Sequence, residues 1–219
     1  MTVRSYLRNP VRPVVFVPVY IGYERIMEID SYLGELSGKP KEKENIWAFL
    51  RSLKRLRENF GHVHVNIGQP IPLQALLDEH VPDWRGKLGQ EGRASAVSGA
   101  VDALAARIMR NVHGAAAVTP VNLIAMVMLA TPRHAMLEAD LLGQLDAYLR
   151  LLRAAPYDTH TTITGLDAAG IIRLGFERGL LCRLEGDAVG LSPAHAQGMP
   201  YYRNNVLHVF AIPSLPACC

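Results

Sequence analysis

Residues 14–24 read Val14-Val15-Phe16-Val17-Pro18-Val19-Tyr20-Ile21-Gly22-Tyr23-Glu24, and this nearly unbroken apolar run narrows the possible architectures more than any other stretch. A strand in a sheet wetted on one face alternates polar with apolar residues. Apolar side chains on both pleat faces instead indicate a parallel sheet covered on both sides. Pro18 has no N–H to give to a ladder, so it marks an edge, a bulge or the carboxyl end of the strand. In the last case Pro18, Tyr20, Tyr23 and Glu24 stand where open α/β sheets gather their ligands. The alternative for the same residues is an ordinary core strand with its proline at an edge.

With 219 residues, 49% of them apolar, the chain can fill the core of one large or two small domains. A formal net charge of +3 does not demand nucleic acid, but suits an anionic membrane surface if the cations cluster. The opening Met1-Thr2-Val3-Arg4-Ser5-Tyr6-Leu7-Arg8 lacks the apolar core of a secretory leader. Cys182, Cys218 and Cys219 show no zinc-ligand spacing, and a reducing compartment is expected.

Further along, 26–36 fits a short helix, broken by Gly38-Lys39-Pro40. Ile46, Phe49, Leu50, Leu53, Leu56 and Phe60 recur at helical spacing, opposite Arg51, Lys54, Arg55 and Arg57. Gly61 ends that helix, and 62–67 alternates as a second strand with His62 and His64 on one face, without an evident third metal ligand. Strand, helix, strand is the order of a βαβ unit. Residues 86–92, polar and glycine-rich, form the expected boundary between domains at 1–85 and 93–219. Beyond it, Val97, Val101, Leu104 and Ile108 make another helical stripe. Thr119-Pro120 reads as an N-cap followed by proline at the first helical position, and 121–130 is too short for a bilayer that needs about 20 residues. A core helix is expected there, with shallow membrane insertion as the alternative. Next come a long helix or broken pair over 135–154, with Leu137, Leu141, Leu145, Tyr148, Leu149 and Leu152 inward, and a helix at 167–178. A hairpin of 180–184 and 188–191 follows, then a last helix at 202–212. Helices followed by a hairpin also describe a winged-helix interaction module, although Arg183 has Glu185 and Asp187 close beside it in the same turn region, a poor arrangement for phosphates.

Five stretches carry a resemblance in a fixed order: residues 17–24 (VPVYIGYE), 34–44 (GELSGKPKEKE), 65–73 (VNIGQPIPL), 81–85 (VPDWR) and 201–205 (YYRNN). Together they resemble the glycerolipid acyltransferases, specifically the bacterial membrane-bound glycerol-3-phosphate O-acyltransferases, in their carboxyl-terminal half. That likeness implies an α/β fold: the closing strand-helix-strand part of an acyltransferase domain, then a mainly helical domain with a small hairpin. It also implies transfer of a fatty acyl group from acyl-CoA or acyl-carrier protein to glycerol 3-phosphate, with no cofactor, metal or nucleic acid, at the cytoplasmic face of the inner membrane. Lys39, Lys41 and Lys43 could assist with phosphate-bearing substrates.

The family's catalytic pair is a His and an Asp separated by four residues, and none of the eight histidines here has an aspartate five positions later. No residue is therefore assigned as catalytic, and the chain alone is expected to be inactive. Pro18, Tyr20, Tyr23 and Glu24, in the first matching stretch, are the candidate substrate-binding residues. The competing reading is a noncatalytic winged-helix-like module.

Overall fold

The computed structural model describes residues 2–25, 61–81, 84–85 and 93–214. The expected helices at 26–36 and 46–60, the lysines of 39–43, the cations of 51–57 and the connector at 86–92 lie outside the described residues. The protein is a mixed helix and sheet structure, and its backbone divides into two compact units. One gathers residues 1–20, 65–116 and 158–162; the other gathers 21–64, 117–157 and 163–219.

The first apolar run forms two strands. β1 (Val15–Phe16) pairs antiparallel with β4 (Ile71–Pro72), Val15 opposite Pro72 and Phe16 opposite Ile71, while β2 (Val19–Tyr23) pairs with β3 (Val63–Ile67). Pro18 sits at the break between β1 and β2, where its carbonyl accepts the Gly68 N–H at 2.9 Å; at the other end the Glu24 N–H reaches the His62 carbonyl at 3.2 Å. These partners run in opposite order along the chain. The expected parallel pairing is thus corrected to antiparallel, and Pro18 marks an interruption before β2, not its carboxyl end.

In the first unit, α1 (Thr2–Arg8) stops ahead of Pro10, which cannot donate within a helix. Its Val3, Tyr6 and Leu7 join Ile71, the Leu73, Leu76 and Leu77 stripe of α2 (Leu73–His80), and Ala100 and Leu104 of α3 (Arg93–Gly114) in one core. Trp84 closes it, 5.8 Å from Tyr6 by ring centroids, with its indole N–H donating to Asp78 at 2.7 Å. Gly68 passes so close to the Asn111 carbonyl that a Cβ would collide with it. The Asn111 side chain then donates to the Gln69 carbonyl at 2.7 Å.

The second unit is built around α4 (Pro120–Ala130), the expected core helix, eight of whose eleven residues are buried. Thr119 caps it as the sequence indicates, in a reciprocal box with Asn122: the Thr119 N–H donates to Asn122 Oδ1 at 2.8 Å and the Asn122 N–H to Thr119 Oγ1 at 3.3 Å. α5 (Glu138–Ala154), α6 (Ala168–Glu177) and α8 (Met199–Ser214) pack on it, and the four-residue α7 (Pro193–Ala196) precedes the last. Leu141, Leu145, Leu149 and Leu152 turn inward at helical spacing. Gly175 permits close approach, since a Cβ there would lie 2.6 Å from the Leu181 side chain and 3.0 Å from that of Ile124. No described helix is long and apolar enough to cross a membrane.

One expected helical stretch is corrected. Ala135–Leu137 is β6, not the start of the long helix, and Leu137 is half exposed. The preceding turn at Pro132–His134 holds Arg133 and His134 at positive φ, which redirects the chain and leaves β6 to pair with the hairpin. β8 (Leu181–Arg183) and β9 (Ala188–Leu191) form the expected hairpin, with Gly186 and Asp187 at positive φ in its turn. The resulting order is β6-β9-β8. A further pair, β5 (Ala117–Val118) with β7 (Thr162–Ile163), carries no strong alternation in the sequence.

Candidate functional site

Alternation along β2 and β3 sorts the candidate residues by face. Pro18 and Gly22 are buried and Tyr20 is half-buried on the even-numbered side, whereas Val19, Ile21 and Tyr23 are exposed on the odd-numbered side. Pro18 and Tyr20 fall in the first unit, and Tyr23 and Glu24 in the second. Glu24 lies just past the carboxyl end of β2 with its side chain only 4% exposed, while Tyr23 points to the opposite face and is 46% exposed.

Glu24 is the centre of a polar cluster within the second unit. Its Oε2 accepts the His62 N–H at 3.0 Å, lies 3.2 Å from His62 Nδ1, and pairs with Arg178 Nη2 at 3.1 Å. Its Oε1 stands 3.6 Å from His64 Nε2. The two-residue period of β3 aims both histidines at this carboxylate. Arg178, at the carboxyl cap of α6, arrives from far along the chain. Gly61, at φ +74°, is required beside them because a Cβ would strike the Arg178 guanidinium.

Burial by itself would push the Glu24 carboxyl up. The His62 N–H and imidazole and the Arg178 guanidinium outweigh that effect and hold it below the usual carboxylate range. An ionised carboxylate already engaged by several donors is a weak proton acceptor, so this geometry suits an anchor rather than a general base. Nearby His195 is shifted downward, first by burial and then by the Arg25 charge. In the first unit, Asp158 Oδ1 accepts the His160 N–H at 2.9 Å and lies 2.8 Å from His160 Nδ1. This His–Asp contact spans two residues in an exposed turn and does not have the four-residue separation expected of the family's catalytic pair. Among the described residues, no group of three or more His, Cys, Asp or Glu side chains could hold a metal ion.

The sequence singles out Glu24 and places His62 and His64 on one face, but it does not indicate Arg178. That residue lies at the end of an ordinary amphipathic helix, with no spacing rule linking it to β2.

Residues 32–219 match the family model for the glycerol-3-phosphate acyltransferase C-terminal region. The chain belongs to this family. It is 46% identical over 224 residues to the glycerol-3-phosphate acyltransferase of Xanthomonas axonopodis pv. citri, covering 100% of this chain and 25% of the relative. Identity is 45% to the Pseudomonas entomophila acyltransferase (99% of this chain, 27% of the relative) and 42% to that of Shewanella baltica OS155 (100% and 28%). The chain thus spans about a quarter of the length of these curated relatives. No solved structure matches it. The resemblance seen in the five sequence stretches is borne out at the level of the family.

Proposed function

We propose that this chain serves as the carboxyl-terminal part of a glycerol-3-phosphate acyltransferase, which moves a fatty acyl group from acyl-CoA or acyl-carrier protein to glycerol 3-phosphate. The reading rests on the match of the whole chain to one quarter of enzymes carrying that name. The histidine base and its aspartate belong to another part of such an enzyme. There the histidine deprotonates the substrate hydroxyl as it attacks the thioester. Within this chain Tyr23, the most open of the four candidates, meets the acyl donor, while Pro18, Tyr20 and Glu24 set the position of the strand that carries it. The Glu24–Arg178 pair supports an anchoring role because it holds the end of β2 without leaving a free base. The site of action in this proposal is the cytoplasmic face of the inner membrane, reached from one side through an anionic lipid surface.

The test is thioester consumption with glycerol 3-phosphate. The purified 219-residue chain should give a flat trace, and a polypeptide joining it to the amino-terminal region of the Xanthomonas axonopodis relative should turn over. In that fusion, Tyr23→Ala should raise KM for the acyl donor more than it lowers thermal stability. Turnover by the chain alone, or unchanged kinetics in the Tyr23 variant, overturns the assignment.

A second reading, a noncatalytic interaction module, draws on the addition of β6 to the hairpin: helix, strand, two helices and hairpin follow in winged-helix order, with the short β7 inserted between the two helices. Nucleic acid is a poor partner for it. Arg183 beside the turn is already engaged by Glu138 at 2.8 Å and lies over the Phe176 ring. A turn-replacement variant of 185–187 in the same fusion separates the readings: unchanged acyl transfer with loss of a bound protein favours the module.

A further inference from the structure

The three-stranded sheet β6-β9-β8 of the second unit sorts its side chains into two sets. Register places Ala135 and Cys182 opposite Gly190, and Met136 and Arg183 opposite Val189, so alternation decides which residues share a face. On the inward face Leu181 meets Gly175 of α6, Arg183 lies over the Phe176 ring of the same helix, and Val189 and Leu191 are buried. The outward set is Ala135, Leu137, Cys182, Leu184, Ala188 and Gly190. Leu184 joins it opposite Ala188, to whose carbonyl its N–H donates at 2.8 Å, and it leans over Gly190, where a Cβ would lie 2.8 Å from its side chain. An antiparallel sheet that turns one face to water places polar residues there. This face holds no charged residue, and its two leucines, Leu137 and Leu184, are 50% and 47% exposed.

Charge is confined to the two ends of this face and differs in sign between them. Glu185 and Asp187 stand in the hairpin turn, beyond Leu184 and Ala188, while Arg133 stands at the opposite end, two residues ahead of Ala135. All three are exposed, and none has an ion-pair partner among the described residues. An apolar face with unpaired acid at one end and unpaired base at the other is complementary to itself. A two-fold axis lying in the plane of contact and perpendicular to the strands stacks face on face and brings Arg133 of each copy to Glu185 and Asp187 of the other. We infer that this face is a contact between two copies of the chain, with Leu137 and Leu184 at its centre and the end charges fixing its direction. Strands about 4.8 Å apart and this short offer far less than the roughly 800 Å² per partner of a stable interface. The association is therefore weak and dependent on concentration. It does not rest on the acyl-transfer reading.

Sedimentation equilibrium of the 219-residue chain tests it without an activity readout. The chain should pass from monomer to dimer as concentration rises, and Leu184→Glu should weaken that association about tenfold or more. Two charge variants carry the decisive comparison, with residues chosen to suit the positive φ at 133 and 187. Arg133→Asp alone, and Glu185→Lys with Asp187→Asn, should each weaken self-association about fivefold. An equimolar mixture of the two should recover the parent's affinity to within about twofold, because each variant then meets its opposite sign at both ends. That recovery is read against the separate variants, so it decides the matter even where Leu184→Glu fails to fold. A chain that stays monomeric to its solubility limit overturns the proposal, whether another protein or the rest of a longer polypeptide then occupies the face. A mixture that associates no better than its components overturns it too. So does association that is indifferent to Leu184→Glu but lost in Ile67→Thr, which would place the contact on the exposed strand residues of the first unit.

Discussion

The helical assembly of the second unit and the β2–β3 strand pair use similar apolar residue types to opposite ends. In the helices, Leu123, Ile124, Leu141, Leu145 and Ile171 have 0% exposure, and the few polar groups among them are paired. On the strands, valines and isoleucines are about half exposed, and the polar residues Glu24, His64 and Asn66 occupy the covered side. Apolar content therefore does not reveal which parts of this chain are self-sufficient. Four helices can bury one another's stripes, but two strands can cover at most one of their faces.

The largest expected effect lies in the helical core. Leu145→Ala removes a fully buried side chain and should cost about 2–5 kcal/mol, read as a lower urea midpoint. A loss below about 1 kcal/mol would mean that the helices are as loosely packed as the strand face is open.

Next is the polar anchor. Arg178→Met leaves the enclosed Glu24 carboxylate without its guanidinium and should cost about 2 kcal/mol at neutral pH. The folded pKa of Glu24 lies below its unfolded value. Its contribution is therefore fully present above about pH 4.3 and is lost as pH falls through the folded value. Stability of Arg178→Met should accordingly fall less on acidification than that of the parent, in denaturant titrations between neutral pH and the acid limit of folding. An unchanged pH slope would remove Glu24 from the list of anchors.

Asn122→Ala probes the polar groups of the core. It takes a donor from the Tyr202 carbonyl, 2.7 Å away, and an acceptor from the Thr119 N–H, and should cost about 1–3 kcal/mol by thermal or urea unfolding. The smallest effect belongs to the strand face. Ile67→Thr in the isolated chain should change stability by no more than about 0.5 kcal/mol while reducing self-association at high concentration, measured by light scattering. A loss as large as that of Leu145→Ala would erase the contrast between the regions.

Local chemistry made much of the helical part readable. Thr119-Pro120 announced the start of α4, the leucine spacing gave the inward side of α5, and Glu185-Gly186-Asp187 supplied the hairpin turn. β6 was missed because Ala135, Met136 and Leu137 also fit a helical stripe; the positive-φ turn at Arg133 and His134 decides the matter through tertiary pairing. The orientation of β2 was misread for a related reason. A strand apolar on both faces does not say what lies against each face, and parallel layers are only one solution. Of the site, the motif containing Glu24 and the alternation of His62 and His64 were visible, whereas the contribution of Arg178 depends on a fold that brings distant residues together.

The capped central helix has a consequence for the time the protein takes to open. The N-cap N–H of Thr119 and the first-turn N–H of Asn122 are served by the Thr119–Asn122 box, the sides of α4 are enclosed by α5, α6 and α8, and Asn122 is tied to the backbone of α8. A helix held in this way has no free amino-terminal end from which to fray. Its amide protons can meet solvent deuterium only when the surrounding helices come away with it, so they should be among the last in the chain to exchange and should do so together.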